Sequence, residues 1–273
     1  MNLADWIGRG ETRTETIHAD RLAALAATFD RDPPADAVPP GWHWAFFNAV
    51  EKARDLGRDG HPKRGGFLPP VALPRRMWAG GRLAYRAPLP IGAEATRVSR
   101  IEKVEEKHGR SGPLVFVVVH HAISANGRLC LEEHHDIVYR ADPDPAHPAP
   151  KPPQAPAGED WSRRIVPDPV LLFRYSALTF NGHRIHYDRS YATGVEGYGG
   201  LVVHGPMVAT LLQDLAVERA GRELRKFEFR AVSPLVDTEP FEICGRRDGD
   251  GAQLWARGPG GVLAMQAQAE FAR

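Results

Sequence analysis

The residues most able to carry chemistry lie close together in one polar segment, residues 175–191. The segment reads YSALTFNGHRIHYDRSY and brings an amide, Asn181, near two imidazoles, His183 and His186. Imidazole gains and loses a proton near neutral pH, and a side-chain amide both donates and accepts hydrogen bonds. The segment could therefore hold a water molecule and move its protons. The structural alternative is a solvated loop in which Asp188 caps a short helical turn.

A second segment, residues 199–207, predicts a helix start that faces a ligand. It reads GGLVVHGPM, so that a predicted strand over 201–203 runs through His204 into Gly205 and Pro206. The first N–H groups of a helix lack intrahelical acceptors and carry positive potential. Glycine lets a ligand oxygen come close to those groups, which suits negative charge developing on a carbonyl oxygen. An ordinary helix start is the alternative.

The first of these segments resembles the hydratase motif of the MaoC-like dehydratases, a hot dog fold family that acts on acyl thioesters. That motif is roughly G-D-x-N-P-[LIV]-H, and here His186 takes the place of its catalytic His and Asn181 that of its Asp. His183 and Arg184 replace the Asn and Pro of the motif. Because an amide cannot titrate, the resemblance implies that His186 is the general base and that Asn181 holds the water. Gly205 corresponds to the backbone group that binds the thioester carbonyl.

The resemblance covers nearly the whole chain and implies a two-domain member of the family. The stretches LPRRMWAGGRLAYRAPLPIG, SGPLVFVVVHHAIS and EEHHDIVYR are similar to the non-catalytic first domain of double hot dog proteins. The expected fold is α+β, with two curved antiparallel sheets that each wrap around a long central helix and join edge to edge. The implied subgroup contains 3-hydroxyacyl-thioester dehydratases and mesaconyl-C4-CoA (itaconyl-CoA) hydratases.

The hydrophobic pattern predicts helices before strands in each half of the chain. Apolar residues at helical spacing predict helices over 18–29, 42–56 and 207–219. The N-cap residue Asp168 followed by Pro169 predicts a helix over 170–178. Alternating or continuous apolar runs predict strands, among them 115–119, 129–139, 227–231 and 265–271. The pair Asn126-Gly127 is a hairpin signal. A doubly wound parallel sheet is disfavoured, since helices do not separate the strands.

A proline-rich stretch divides the chain. Residues 142–160 read DPDPAHPAPKPPQAPAGED, a composition that favours an extended spacer. We expect residues 1–141 to form a non-catalytic domain and residues 161–273 the catalytic one. A long surface loop within a single domain is the alternative.

Several residues near the motif are candidates for contact with the acyl group. A guanidinium pairs with a carboxylate through two hydrogen bonds, so Arg75, Arg76 or Arg184 could hold a substrate carboxylate. Arg75 and Arg76 precede Trp78 in a predicted loop over 65–81. Trp78 and His204 are further candidates for substrate contact. The expected substrate is a C5 dicarboxyl enoyl-CoA such as mesaconyl-C4-CoA.

Other functions remain open at the level of the sequence. A 3-hydroxyacyl dehydratase of fatty-acid metabolism would use the same motif, whereas a thioesterase would need a carboxylate near the thioester. A non-catalytic acyl-thioester binder is a third possibility. His183, His186 and His204 could also supply three imidazoles to zinc, although no Cys or Glu partner is near them in the sequence. The paired histidines at 120–121 and 134–135 are expected to be structural.

The charge balance and composition of the chain indicate which classes of partner and which cell compartment to expect. Lys and Arg total 35 against 34 for Asp and Glu, so the net charge of +1 gives no sign of nucleic-acid binding. The chain holds two cysteines and no apolar stretch long enough for a membrane span, which favours the cytoplasm. Coenzyme A is expected only as part of the substrate, with no separate cofactor and no metal. A homodimer is compatible with the sequence.

Overall fold

The computed structural model describes residues 2–109, 112–142 and 151–272. Its helices are α1 (Ala19–Thr28), α2 (Pro169–Leu178), α3 (Arg189–Gly194) and α4 (Gly205–Ala220). The strands of the first half are β1 (Gly10–Thr16), β2 (Arg75–Tyr85), β3 (Glu94–Gly109), β4 (Gly112–Ala125) and β5 (Arg128–Arg140). Those of the second half are β6 (Trp161–Ile165), β7 (Leu224–Ala231), β8 (Phe241–Asp248), β9 (Gly251–Arg257) and β10 (Leu263–Phe271).

The strands form one continuous antiparallel sheet. Its order is β1-β3-β4-β5-β2-β7-β10-β9-β8-β6, so each half contributes five strands in the same order outward from the junction. At the junction β2 pairs with β7 from Gly80↔Arg230 to Ala84↔Lys226. This pairing gives each half-sheet a neighbour at one of its edges, as expected for two sheets joined edge to edge. The α+β class predicted from the sequence is confirmed.

Helix α4 is the long helix of the second half and is enclosed by the sheet. Every residue from Met207 to Ala216 is buried, so the helix is covered on all faces rather than along one stripe. Pro206 lies in its first turn, and Gly221 ends it in the left-handed conformation with a φ of 62°. The helices predicted at 18–29, 170–178 and 207–219 are all present.

The helix predicted over 42–56 is wrong. Trp42–Ala45 and Ala53–Asp55 are short 3₁₀ turns, and Phe47 has a left-handed φ of 58°. All side chains from Trp42 to Phe47 are buried in succession, whereas Val50 is exposed. The apolar spacing thus reflects a segment enclosed on every side, not one face of a helix. Among its described residues the first half therefore has no counterpart of α4, and residues 48–74 form a loop interrupted by one short 3₁₀ turn.

Two further expectations are corrected by the strand assignments. Residues 75–81, predicted as part of a loop, lie in β2. This strand pairs with β5 along one edge, and from Gly80 to Ala84 it also pairs with β7 along the other. The predicted strand over 201–203 is reduced to a single bridge between Val202 and Val236. The hairpin prediction is confirmed, since Asn126 and Gly127 have φ values of 51° and 71° between β4 and β5.

The proline-rich stretch is described only in its second part, because residues 143–150 lie outside the described residues. From residue 151 the chain runs along the start of β10. The N–H of Leu263 donates to the carbonyl of Pro153 at 2.9 Å, and the N–H of Ala155 donates to Gly261 at 2.8 Å. None of the helices in the described ranges has the length and apolar character needed to cross a bilayer.

Candidate active site

A cavity of about 1380 Å³ opens between the loop of residues 48–74 and the loop that follows α2. Both halves of the chain line it, and its wall includes most of the residues predicted from the sequence. The lining residues used below are His61, Arg76, Trp78, Asn181, His183, His186 and Gly205.

The loop after α2 begins with a reversal of the chain. Asp168 caps the start of α2 by accepting from the N–H groups of Val170 and Leu171, and Phe180 ends the helix with a φ of 49°. The N–H of Asn181 donates to the carbonyl of Ser176 at 2.8 Å. These contacts direct the following residues back over α2 and into the cavity.

The amide of Asn181 is partly committed to shaping this loop. Its Oδ1 accepts from the N–H of His183 at 3.0 Å, which closes a local turn. Its Nδ2 makes no hydrogen bond to any residue in the described ranges. Asn181 therefore offers the cavity a donor more readily than an acceptor.

His186 is held in one tautomer. Its Nδ1 lies 2.7 Å from the carbonyl oxygen of Val202, and because a carbonyl only accepts, Nδ1 must carry the proton. The lone pair is therefore on Nε2, the nitrogen that can accept a proton. Burial lowers the pKa of His186 to about 4, so the ring is neutral at pH 7.

The ring of His204 packs against the ring of His186 and does not line the cavity. The expected role of His204 in substrate contact is therefore corrected. His204 is fully buried, and its ring stacks on that of His186 with centroids 3.7 Å apart. Its Nε2 lies 2.8 Å from the Oγ of Ser176. Burial, with the charges of His186 and His183, lowers the pKa of His204 well below its usual value. A neutral His204 therefore packs against a neutral His186.

The start of α4 presents a free backbone donor. The side chain of His204 does not cap the helix, and the N–H of Gly205 has no acceptor within the part of the chain that the structure describes. A Cβ built on Gly205 would meet no atom within 4 Å, so a ligand can approach this N–H. A carbonyl oxygen placed there would gain a hydrogen bond and the positive end of the helix dipole.

The three candidate arginines have different surroundings. Arg75 is paired with Asp142 at 3.0 Å and with Glu196 at 3.3 Å. Arg184 is paired with Asp188 at 2.7 Å outside the cavity wall, which corrects the expectation that it contacts substrate. Arg76 is half-buried in the wall and makes no ion pair with any described carboxylate.

Trp78 lies on the same strand as Arg76 and lines the cavity deeper in the first half. Its ring is 4.0 Å from that of His135. Its Nε1 is buried and has no hydrogen-bond partner among the described residues. Because this Nε1 is itself buried, Trp78 offers the cavity an apolar surface and not a hydrogen-bond donor.

Sequence reasoning missed Asp59 and His61, which reach the cavity from the first half. The His61 Nδ1 lies 3.4 Å from a carboxylate oxygen of Asp59, and the His61 ring centroid is 4.3 Å from that of His183. The glycine-containing run RDGH indicates a turn, but nothing in it points to residues 181–186. Only the packing of the two loops shows this proximity.

Within the described ranges, two groups of side chains have donor atoms close enough to hold a metal ion. Asp59, His61 and His183 form one, with donor atoms all within 4.8 Å of one another, and His121, Glu133 and His135 form the other. The zinc set considered from the sequence is not formed, because His186 and His204 direct ring nitrogens at Val202 and Ser176. His121 also bonds to Ser99 at 2.7 Å, consistent with a structural role.

The amino-acid sequence is similar to those of known proteins over most or all of its length. Residues 41–237 match the family model described as hydroxyacyl-thioester dehydratase type 2. The chain is 48% identical to mesaconyl-C(4)-CoA hydratase of Chloroflexus aurantiacus, with 99% of each chain covered. It is 28% identical to the mitochondrial hydroxyacyl-thioester dehydratase type 2 of Schizosaccharomyces pombe, with 82% of each covered.

Solved structures share the fold. The HtdX protein of Mycobacterium tuberculosis superposes with a TM-score of 0.70 at 18% identity, covering 96% of this chain and 99% of that one. A second M. tuberculosis protein, described as having a double hot dog fold, has a TM-score of 0.55 at 13% identity, with 98% of each covered. The double hot dog fold expected from the motifs is confirmed.

Proposed function

The chain belongs to the hydroxyacyl-thioester dehydratase type 2 family, and we propose that within it the protein hydrates mesaconyl-C4-CoA or a closely similar C5 dicarboxyl enoyl-CoA. The reaction class is that of a hydro-lyase acting on an acyl thioester. The observation that carries the proposal is the neutral His186, whose Nε2 has no hydrogen-bond partner among the described residues and which lines the same cavity as Gly205 with its uncapped N–H. These are the two groups that hydration of an enoyl thioester requires.

The mechanism follows from the polarity of the substrate. An enoyl thioester is electrophilic at C3 because its carbonyl oxygen can take up negative charge. With the carbonyl oxygen at the N–H of Gly205, the helix start stabilises the enolate oxygen. His186 removes a proton from water at Nε2 as the water oxygen bonds to C3. The His186 imidazolium then returns that proton to C2, so one water is added and the ring ends neutral; the Nδ2 of Asn181 holds the water oxygen through a donated hydrogen bond before attack.

The substrate carboxylate is assigned to Arg76. Arg75 and Arg184 already have carboxylate partners, whereas Arg76 faces the cavity without one among the described residues. A half-buried guanidinium in such a wall favours an anionic ligand, since a charge removed from water needs compensation. The 48% identity to a mesaconyl-C(4)-CoA hydratase supports the same substrate.

The other candidates are weaker on this geometry. A thioesterase needs a carboxylate directed at the thioester, and position 181 in the motif holds an amide. A dehydratase for longer acyl chains is the second candidate, because a cavity of about 1380 Å³ has room for a longer acyl group. Its acyl chain would lie along Trp78.

A panel of purified thioesters tests the proposal. We expect loss of enoyl absorbance with mesaconyl-C4-CoA at a kcat/KM above that for crotonyl-CoA and for a C10 enoyl-CoA. Preference for the C10 substrate would instead assign the fatty-acyl dehydratase role. Release of free thiol would indicate a thioesterase, and absence of both signals with every substrate would contradict the proposal.

The remaining sequence predictions accompany this proposal. We propose a cytoplasmic location, because Cys130 and Cys244 are both buried as free thiols. Coenzyme A is part of the substrate, and the mechanism draws on side chains and backbone groups of this chain. The homodimer stays a prediction, which light scattering of the purified protein would check.

A further inference from the structure

The attacking water needs more than one partner in this cavity. A water molecule has two O–H bonds, so two acceptors are needed to fix its orientation before it attacks C3. The Nε2 of His186 is one acceptor. Asn181 cannot take up the proton, because an amide does not titrate; its Oδ1 already uses one lone pair to accept from the N–H of His183, and its Nδ2 only donates.

The first half of the chain brings a second imidazole into the same wall. His61 lies beside His183, with ring centroids 4.3 Å apart, and His183 lies beside His186, with centroids 5.5 Å apart. The three rings thus form a row along the cavity. His61 is the member of that row with a carboxylate beside it.

Asp59 lies beside the Nδ1 of His61. One carboxylate oxygen lies 3.4 Å from the His61 Nδ1, a buried atom that has no hydrogen-bond partner among the described residues, and the other accepts from the His61 backbone N–H at 3.1 Å. A carboxylate on the Nδ1 side favours the tautomer with the proton on Nδ1. The lone pair is then on Nε2, as it is in His186. The arrangement of a proton acceptor oriented by a carboxylate recurs in general-base sites.

The position of this pair is built into the contact between the two loops. The N–H of Arg184 donates to the carbonyl of Asp59 at 2.9 Å, and its guanidinium donates to the carbonyl of Arg58 at 3.1 Å. Gly60, with a φ of 88°, lies against Gly182, and a Cβ on Gly60 would overlap the Gly182 carbonyl oxygen. The loop that carries Asp59 and His61 is therefore held by hydrogen bonds and close backbone packing against the loop that carries Asn181 and His186.

We propose that His61, with Asp59 beside its Nδ1, is the second proton acceptor for the attacking water, in place of the carboxylate that position 181 lacks. His61 reaches the water directly or through one further water. The O–H bond that breaks leaves its proton on His186 or His61 while the oxygen bonds to C3 and the C2=C3 pair moves into the enolate. The imidazolium then returns that proton to C2, so one water is added and both rings end neutral.

The charges around His61 are consistent with a neutral ring in the resting enzyme. Burial, together with the cations Arg76 and Arg64, lowers its pKa to about 4 against the opposing effect of Asp59. Burial and the charges of His61, His186 and Arg76 likewise lower the pKa of His183, against the opposing charge of Asp59. Both proposed acceptors, His61 and His186, therefore have free lone pairs at neutral pH.

Variants of the full-length protein test the proposal, which rests on the proposed function. We expect His61→Gln to lower kcat by about 10²- to 10⁴-fold, the usual contribution of one positioned acid–base group, with KM unchanged. Asp59→Asn should lower kcat less, because it misorients the ring without removing it. The matched control is His120→Gln, a half-exposed histidine on β4. The decisive variant is the double change His61→Gln with Asn181→Asp, which should regain part of the lost kcat by restoring a carboxylate acceptor.

The outcomes separate this inference from the proposed function. A wild-type enzyme that hydrates neither mesaconyl-C4-CoA nor crotonyl-CoA counts against the proposed function alone. If the wild type is active and His61→Gln keeps its kcat, the inference is wrong. A rise in KM with unchanged kcat would make His61 a substrate contact, and a lowered Tm without rescue by Asn181→Asp would make it structural. Either result also overturns the inference.

Discussion

The proposed contact between Arg76 and the substrate carboxylate predicts how strongly the enzyme prefers a substrate with a second carboxylate. The side chain is half-buried in the cavity wall, close enough to His61 for its charge to lower the pKa of that ring. The informative change is Arg76→Gln, which keeps hydrogen-bonding capacity and much of the side-chain length but removes the charge. The expected result is a selective loss for mesaconyl-C4-CoA.

The size of the loss follows from the type of contact. A hydrogen bond to a charged group contributes about 1.5–3 kcal/mol, and the lower part of the 2–5 kcal/mol range for buried charge pairs applies because Arg76 is only half-buried. Since about 1.4 kcal/mol corresponds to tenfold, the ratio of kcat/KM for mesaconyl-C4-CoA to that for crotonyl-CoA should fall by about 10- to 150-fold. Crotonyl-CoA has no carboxylate, so its own kcat/KM should change little.

The assay is the loss of enoyl absorbance with each substrate, for the wild type, Arg76→Gln and a matched control. The control is Arg82→Gln on the same strand, because Arg82 pairs with Asp136 at 2.6 Å and does not line the cavity. It should leave the substrate ratio at the wild-type value. Equal losses on both substrates in Arg76→Gln, or an unchanged ratio, would refute the assignment of the carboxylate to Arg76.

Three further predictions concern the catalytic loop. His186→Ala should lower kcat by about 10²- to 10⁴-fold while circular dichroism shows a folded protein; a kcat near wild type would contradict its role as base. Because neutral His186 is the active form and burial lowers its pKa to about 4, kcat/KM should stay level from pH 8 to about pH 6 and fall only near pH 4. A decline centred on the ordinary value of 6.5 in the pH–rate profile would show that the ring is not desolvated. Gly60→Ala should reduce kcat by displacing the Gly182 loop, whereas Gly66→Ala, where an added Cβ meets no atom within 4 Å, should match wild type in the same assay.

Local sequence signals were sufficient for the elements that carry the motif. Asp168 and Pro169 predicted the start of α2, and Asn126-Gly127 predicted the β4–β5 hairpin. The motif spacing placed Asn181 and His186 on one loop, and both line the cavity. Caps, turns and short-range periodicity depend on residues a few positions apart, so they are readable without the rest of the fold.

The same signals failed where packing encloses a segment on all sides. The apolar residues between Trp42 and Phe47 have helical spacing, yet they form a short 3₁₀ turn because every side chain in the run is buried. Likewise, the glycine-rich segment around Gly80 became a strand because β5 and β7 pair with its two edges. Neither environment is encoded in the segment itself.

The choice among chemically similar residues was made by the tertiary structure. The sequence offered Arg75, Arg76 and Arg184 on equal terms, and only their ion-pair partners distinguish Arg76. His61 gave no signal in the sequence, since the motif residue beside it in the cavity, His183, lies in the other half of the chain. The Arg58–Arg184 contact that joins the two loops spans 126 positions. The sequence therefore determined the fold class and the motif, whereas long-range packing decided which side chains share the cavity, because a site between two halves exists only once they are packed together.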